Sequence, residues 1–382
     1  MANFYPEQYL KTGIYPINHN YLPDQFSDLE QIWEKVREVV KRGDFTLGEA
    51  VDSFERDFAR LNDGEFGIGV GSGTDALFLS LKALGVGEGD EVITTPYTFY
   101  ATVGAIVTAG ATPVFVDAGE DYNIDANLIE RAITPKTKAI MPVHWSGNPC
   151  DMDAINTIAK QYGIHVVADA CHAIGATYHS KGMAQLSDLT CFSMHPLKNL
   201  NVWGDGGVIV TNNASLADKL YSIRNHGLVD RDTCREFAYN SRLDTIQAVV
   251  AQHLLDKKIP NITRSRIANA KALDKGLQGI NGVTLPPRSE HKHAVYHIYM
   301  AIFERRDALQ AHLQKAGIDA KVHYPLPMHL QPAAKAYGYV RGDFPVTEHI
   351  SDNCLSLPVH EFITSEEVAY MIEQVRQFYQ GA

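Results

Sequence analysis

The sequence predicts an α/β fold in which a mostly parallel sheet is sandwiched by helices and followed by a smaller α+β domain. Two observations support the sheet. Short β-rich runs alternate with helical patterns between about residues 66 and 211, and these runs are apolar on both faces. A third observation supports the second domain: the alternation of strand and helix patterns stops after Arg242.

The elements of the first domain follow from hydrophobic periodicity. The runs predicted to be strands are 67–70, 91–95, 112–117, 139–143, 165–168, 189–193 and 208–211. The periodic stretches predicted to be helices between them include 74–84, 125–132 and 152–162. Because ligands bind such sheets at the carboxyl ends of the strands, we expect the functional residues in the loops that follow them.

The pattern of the second domain is different. Helical stretches are predicted at about 243–258 and from Pro260 to about residue 277. A β-rich segment then precedes further helical patterns, and these predicted elements are 295–303, 307–316 and 365–379. The predicted division is a large α/β domain of residues 1–255 and a smaller α+β domain of residues 256–382.

Composition excludes several classes of function. The chain has 382 residues, a formal net charge of −11 and five cysteines, none of them in a C-x-x-C pair. The negative charge gives no support to a nucleic-acid or anionic-membrane partner, and the apolar runs end before membrane-spanning length. Scattered cysteines in odd number and the lack of a signal-peptide pattern predict a soluble protein of the reducing cytoplasm.

The first candidate motif is Gly71-Ser72-Gly73-Thr74, between a strand and a helix. A glycine loop at a helix N-terminus offers free backbone N–H groups and a favourable dipole to a phosphate, and Thr74 adds a hydroxyl. A tight turn with Thr74 as an ordinary N-cap explains the same residues equally well. The spacing also resembles a nicotinamide-dinucleotide loop, but the third glycine of that fingerprint is missing.

Two further motifs follow later strands. Asp169 and His172 come directly after the run 165–168. Taken alone, Asp169 is typical of a helix cap, and His172 is typical of a packed histidine. Lys198 follows the run 189–193 within a mostly apolar stretch. Burial there would lower its pKa and make the neutral amine available for Schiff-base chemistry. A lysine on a surface loop is the alternative for this motif alone.

Together the three motifs supply the parts of a pyridoxal-phosphate site. The aspartate pairs with the pyridine nitrogen and keeps it protonated, so that the ring accepts electrons. The lysine binds the cofactor covalently and later moves a proton between the substrate carbon and the cofactor carbon. The glycine loop holds the phosphate, which fixes the orientation of the ring. The combination is much more specific than any one motif.

The chain resembles the sugar aminotransferases of the DegT/DnrJ/EryC1/StrS type, and the resemblance covers nearly its whole length. The segments that carry it include Gly71-Ser72-Gly73-Thr74, Gly89-Asp90-Glu91-Val92-Ile93, Pro96-Tyr97-Thr98-Phe99, Asp169-Ala170-Cys171-His172-Ala173, Asn225-His226-Gly227, Tyr239-Asn240-Ser241-Arg242-Leu243 and His323-Tyr324-Pro325. The resemblance implies the fold type I aminotransferase architecture, pyridoxal 5'-phosphate as cofactor, and a homodimer with shared active sites.

The resemblance also implies a role for each matching residue. Lys198 would hold the cofactor, Asp169 would bind its pyridine nitrogen, His172 would lie near its phenolic oxygen and Phe99 would stack on its ring. The other implied residues fall into three groups: phosphate ligands, a segment that reaches the phosphate of the neighbouring subunit, and substrate-side residues. These groups are Ser72, Gly73, Thr74 and Ser193; Asn240 and Arg242; and His323, Tyr324 and His329.

The implied reaction moves an amino group, with glutamate as donor, onto a nucleotide-linked keto-sugar. A cyclitol aminotransferase acting on an inosose-type ketone would have the same cofactor residues, so it remains open. Lys198 argues against a sugar dehydratase, in which the resemblance implies histidine at this position. If the protein were a catalytically silent regulatory homologue, we would expect damage to the lysine, the aspartate or the phosphate loop. All three are intact here. A nicotinamide-dependent oxidoreductase explains neither Lys198 nor Asp169.

Two regions depart from the commonest pattern of the family. Trp145 and Ser146 stand where an aliphatic residue and tyrosine are usual, and His195 stands where tyrosine or phenylalanine is more frequent. We expect these departures to shape the sugar pocket and leave the cofactor chemistry unchanged. They therefore bear on which substrate is used.

One histidine cluster could suggest a metal site. Residues 291, 293 and 297 are histidines that would share one face of a strand. Lys292, a cation that would oppose a bound metal, lies among them, so exposed polar positions are the expected outcome. No metal is predicted.

Overall fold

The computed structural model describes residues 15–19 and 22–381. Its strands are β1 (Phe66–Val70), β2 (Glu91–Thr94), β3 (Thr112–Phe115), β4 (Thr137–Ile140), β5 (His165–Asp169), β6 (Thr177–Tyr178), β7 (Lys181–Gly182), β8 (Leu189–Ser193), β9 (Gly207–Thr211), β10 (Val283–Thr284), β11 (Lys292–His293), β12 (Tyr299–Phe303) and β13 (Cys354–Leu357). The main sheet has the order β1-β9-β8-β5-β4-β2-β3. Only β9 in this sheet runs against its neighbours. Each predicted strand of the large domain overlaps one of these seven, and the predicted fold class is confirmed.

Helices of the large domain cover both faces of this sheet, and further helices belong to the C-terminal part. They are α1 (Leu22–Gln25), α2 (Leu29–Arg42), α3 (Glu49–Leu61), α4 (Gly73–Ala83), α5 (Tyr100–Thr108), α6 (Ala126–Ala132), α7 (Met152–Tyr162), α8 (Ala214–Ile223), α9 (Thr245–Lys257), α10 (Ile259–Leu277), α11 (Arg306–Lys315), α12 (Pro345–Asn353) and α13 (Ser365–Gln380). Val208 and Val210 pack with α2, α3, α7 and α9, whereas Ile209 packs with α4, α5 and α8. Successive side chains of a strand point to opposite faces, which explains why these strands are apolar throughout.

The C-terminal part is built around a second, antiparallel sheet. Strands β10, β12 and β13 form it in that order. Helices α11 and α13 and the second half of α10 pack on it through a separate apolar core that includes Leu273, Leu309 and Val375. The predicted β-rich segment 295–303 becomes a strand only from Tyr299, because Val295 donates its backbone N–H to Gly147 of the main domain instead.

Two features of the chain connect the two cores. Ile259 and Ile262 at the start of α10 belong to the core under the main sheet, whereas Ala270 further along the same helix belongs to the C-terminal core. At the amino end of the chain, Ile17 packs in the C-terminal core and its backbone pairs with that of Ile318. Among the described residues, no helix is long and apolar enough to cross a membrane.

A buried ion pair supports the strand that leads into the glycine loop. Glu55 on α3 and Arg224 after α8 are 4% and 5% exposed, and the guanidinium donates to the carboxylate. Both side chains also bind Gly69 of β1: Glu55 Oε1 accepts its N–H at 2.7 Å, and Arg224 Nη1 donates to its C=O at 2.7 Å. Burial raises the pKa of Glu55, and Arg224 opposes this shift. The pair therefore fixes β1 immediately before the loop.

Glu55→Gln should lower the free energy of unfolding by about 3–5 kcal/mol, because it leaves the Arg224 charge buried without its counter-charge. Urea denaturation followed by circular dichroism measures this change. Glu38→Gln is the control, since Glu38 pairs with Lys41 on the surface of α2 and should leave the stability nearly unchanged. Equal denaturation midpoints for the two variants would contradict the structural role given to the buried pair.

Candidate active site

A cleft opens at the carboxyl ends of the parallel strands, where sheets of this kind bind ligands. Residues that follow β1, β2, β4, β5 and β8 line it, and residues of the C-terminal part close its other side. Most of the site residues predicted from sequence lie together on its walls, namely Ser72, Gly73, Thr74, Phe99, Asp169, His172, Ser193, Lys198, His323 and Tyr324.

The predicted phosphate loop forms one end of the cleft. The N-cap of α4 is Ser72, not Thr74: Ser72 Oγ accepts the N–H of Asp75 at 3.1 Å. The amides of Gly73 and Thr74 precede the first acceptor that the helix can provide, so they remain available to a ligand. A Cβ on Gly73 would lie 2.5 Å from Ser193 Cβ, so glycine permits β8 to approach. Amides, hydroxyls and the helix dipole here suit a phosphate.

Asp169 ends β5 and is only 5% exposed. Its Oδ2 accepts a hydrogen bond from Thr102 Oγ1 at 2.7 Å, and its Oδ1 accepts the backbone N–H of Cys171 at 3.1 Å. Thr98 Oγ1 lies 2.7 Å from Thr102 Oγ1 and extends this chain of hydrogen bonds. The carboxylate is thus held in one orientation at the base of the cleft. A carboxylate has about four lone-pair sites, so it can accept a further N–H.

Lys198 reaches the same cleft from the loop after β8. Its backbone N–H donates to the C=O of His195 at 2.8 Å, which makes a tight turn of this loop. Burial lowers the pKa of the Lys198 ammonium, and the nearby Cys171 and Asp169 only partly oppose the shift. A lowered pKa increases the fraction of neutral amine, which is the nucleophilic form.

The rings of Phe99 and His172 line the same cleft as the phosphate loop and Asp169. Phe99 precedes α5 with 47% of its surface exposed, and its ring centroid is 5.8 Å from that of Tyr324. His172 is buried, with its ring centroid 5.2 Å from that of Trp145 and 4.3 Å from that of His297. Burial, aided by the positive charge of Lys198, holds the pKa of His172 well below its usual value. His172 is therefore a neutral imidazole at physiological pH.

Three predicted site residues lie away from this cleft. Asn240 is exposed, and Arg242 Nη1 donates to Asn225 Oδ1 at 2.9 Å. His329 is 1% exposed, and its Nε2 lies 3.0 Å from Glu348 Oε1. The prediction that His329 lies near the substrate is thus at odds with its position, because its loop turns inward and buries the imidazole against Glu348.

Comparison with known proteins identifies the family. The family model for DegT/DnrJ/EryC1/StrS aminotransferases matches residues 27–376. The chain belongs to this family. The name of the family and the site described above identify this chain as a pyridoxal-phosphate-dependent aminotransferase, as the sequence motifs predict.

Individual relatives cover nearly the whole chain. A pleiotropic regulatory protein of Geobacillus stearothermophilus is 41% identical over 94% of this chain and 97% of its own length. The dTDP-3-amino-3,4,6-trideoxy-alpha-D-glucose transaminase of Streptomyces venezuelae is 38% identical, with 92% and 95% covered. Among solved structures, NtdA from Bacillus subtilis with bound cofactor PMP has a TM-score of 0.89 and 30% identity, with 97% of this chain and 86% of that chain covered.

The residues of the cleft fit pyridoxal phosphate, the cofactor of this aminotransferase. The start of α4 offers amides to a phosphate, and the Asp169 carboxylate can accept a pyridinium N–H. His172 Nδ1 is buried, and within the described part of the chain it has no hydrogen-bond partner. Buried polar atoms of this kind normally bind water or a ligand. Lys198 supplies the amine that a carbonyl cofactor requires.

Several cleft residues were not indicated by sequence motifs, among them His19, Arg266, Lys321 and His360. His297 was expected to be exposed, and this prediction is wrong. The segment before Tyr299 is a loop packed on Gly147, so His297 is half-buried and contacts His172. The described residues contain no group of three potential metal ligands.

The lowered pKa of Lys198 makes attachment of the cofactor pH-dependent in a defined direction. The neutral amine attacks the aldehyde, so the rate at which protein freed of cofactor takes up pyridoxal phosphate should rise with pH. It should reach half its maximum below the pKa of an ordinary lysine, about 10.4. Stopped-flow absorbance measures this rate, with Nα-acetyllysine as the control amine. Equal midpoints for the protein and the free amine would contradict the effect of burial.

Proposed function

We propose that this aminotransferase moves an amino group from glutamate to a keto-sugar linked to a nucleotide. The observation that carries the proposal is the meeting of Lys198, Asp169 and the start of α4 in one cleft. The relative from Streptomyces venezuelae, whose name specifies a dTDP-linked amino sugar, supports the nucleotide-linked ketone. The five cysteines are free, which supports a reducing, cytoplasmic location.

Pyridoxal phosphate supplies a reactive carbonyl and a ring that accepts electrons when it is bound. Lys198 would anchor it and, once freed by the incoming amine of glutamate, would take the proton from the substrate carbon at its Nζ. Burial of this amine keeps its pKa low, so that Lys198 accepts and returns the proton at physiological pH. In the second half of the reaction Lys198 returns a proton to the carbon that was the keto carbon of the sugar.

The residues around Lys198 hold the ring in position. Asp169 would accept the N–H of the pyridine nitrogen, and Thr102 fixes the orientation of its carboxylate. Phe99, which lines the cleft, would cover one face of the ring. The amides of Gly73 and Thr74, with Ser72 and Ser193, would bind the phosphate. The position of each group in the cleft supports these roles.

Glutamate should convert the yellow enzyme to a form without visible absorbance, and a dTDP- or UDP-linked 3- or 4-keto-sugar should restore the colour. Lys198→Ala should lack the covalent link and lose at least about 10³-fold in kcat, because it removes both the attachment and the proton carrier. Spectrophotometry of each half-reaction measures both effects. If scyllo-inosose restored the colour and none of the keto-sugar nucleotides did, the substrate would be a cyclitol and the proposed sugar substrate would be wrong.

We also propose that two copies of the chain share their active sites. The segment 228–242 projects from the surface, with Phe237 fully exposed and Asn240 exposed beside it. Arg242 is outside the cleft of its own chain, although Ser241 Oγ accepts the N–H of Gly71 at 3.0 Å. Insertion of this segment into a second copy would bury Phe237 and bring Asn240 and Arg242 to the partner's phosphate loop.

Mixed dimers test this arrangement. Lys198→Ala and Arg242→Ala chains, each nearly inactive alone, should regain activity when co-expressed, because one site of each mixed dimer then has both residues. Random pairing makes about half of the dimers mixed, so about a quarter of wild-type activity is expected from the unseparated mixture and about half from the purified mixed dimer. Purification through two different affinity tags isolates the mixed species for a transaminase assay. No activity above that of the Arg242→Ala homodimer would mean that Arg242 does not act across the interface.

A further inference from the structure

An extended segment, residues 319–323, contributes two side chains to the wall of the cleft. Lys321 donates its N–H to the C=O of Ser356 on β13 at 3.1 Å and accepts the N–H of Ser356 at 2.7 Å. Side chains of extended backbone alternate between two sides. Ala320 and Val322 accordingly pack in the apolar cores, whereas Lys321 and His323 line the cleft.

Lys321 contacts Asp319, and the residues around it are held by hydrogen bonds of their own. Its Nζ lies 3.2 Å from Asp319 Oδ2. The same carboxylate oxygen accepts the backbone N–H of His19 at 3.1 Å, and His19 Nδ1 lies 2.6 Å from the C=O of Asp319. His323 Nδ1 lies 3.0 Å from Ser356 Oγ. The Lys321 side chain remains 28% exposed, so its ammonium group has donors left for a ligand in the cleft.

The groups around Lys321 add hydrogen-bonding capacity but little positive charge. Burial lowers the pKa of His19 and of His323 to about 3, and the charge of Lys321 contributes to both shifts. Burial likewise lowers the pKa of His360 to about 4. Arg266 lies 3.5 Å from Glu361 and donates to the C=O groups of Tyr296 and His297. At neutral pH, Lys321 therefore presents a partly exposed ammonium group beside the neutral imidazoles of His19 and His323.

We propose that Lys321 binds an anionic oxygen of the substrate, a carboxylate or a phosphate, that enters the cleft. The identity of that anion rests on the proposed function, in which glutamate brings two carboxylates and the sugar nucleotide brings a diphosphate. An ammonium in this position favours anionic substrates over neutral amines and ketones, because a charged hydrogen bond in a partly buried site is worth more than one in water. Lys321 is thus a specificity-determining residue.

Binding to the intact holoenzyme tests this proposal without requiring turnover. Isothermal titration calorimetry with glutarate, a dicarboxylate without an amino group, and with uridine diphosphate distinguishes the two sources of the anion. Lys321→Gln should weaken at least one of the two ligands by about tenfold or more. Lys321→Arg, which keeps the charge, should retain most of the affinity.

Lys315→Gln is the matched control, since it removes the same charge from an exposed position on α11 of the same domain. It should bind both ligands as the wild type does. An unchanged visible spectrum of the holoenzyme verifies that the cleft of each variant remains assembled. Wild-type affinity of Lys321→Gln for both ligands, or the absence of binding to the wild type, would overturn the proposal. Failure of the keto-sugar assay alone would overturn only the proposed sugar substrate.

Discussion

The parallel pairing of β5 with β8 is the constraint on which the site depends. Asp169 pairs with Cys191, so the ends of these two strands lie side by side at the same edge of the sheet. The loop after β8 then brings Lys198 into the same cleft as Asp169, and the backbone N–H of Lys198 closes a tight turn on His195. Because the carboxyl ends of parallel strands meet at one edge, groups distant in sequence form one cleft without further adaptation of the backbone.

Hydrogen bonds connect the phosphate loop to the buried charges and to the projecting segment. Glu55 and Arg224 bind Gly69, and two residues later the N–H of Gly71 donates to Ser241 Oγ. Ser241 in turn donates to Asp75 Oδ2 at 2.8 Å, in the first turn of α4. The segment proposed to enter the partner subunit is therefore bonded to the loop of its own site. In the proposed dimer, the contact with the partner subunit and the geometry of the phosphate loop would therefore be coupled.

Histidines dominate the remainder of the cleft, and burial keeps them neutral. His172, His297 and His323 all have lowered pKa values, chiefly because burial disfavours the charged form. Neutral imidazoles accept and donate hydrogen bonds without competing with Lys198 for a negative charge. The charged groups of the cleft come from separate elements: Asp169 from the end of β5, Lys198 from the loop after β8 and Lys321 from the segment that pairs with β13.

The sequence by itself determined the main sheet and predicted candidate cofactor residues that meet in one cleft, because strand periodicity and strand-end motifs are local patterns. The strands around Lys198 and Asp169 could be located in this way, and the loop at Gly73 as well. Tertiary structure alone decided which other residues join them. His19 meets Asp319 across about three hundred residues of sequence, and His297 enters the cleft because its segment packs on Gly147. His329 turns inward to Glu348. Contacts of this range depend on how the two cores dock, and no periodic pattern within a short segment encodes that docking.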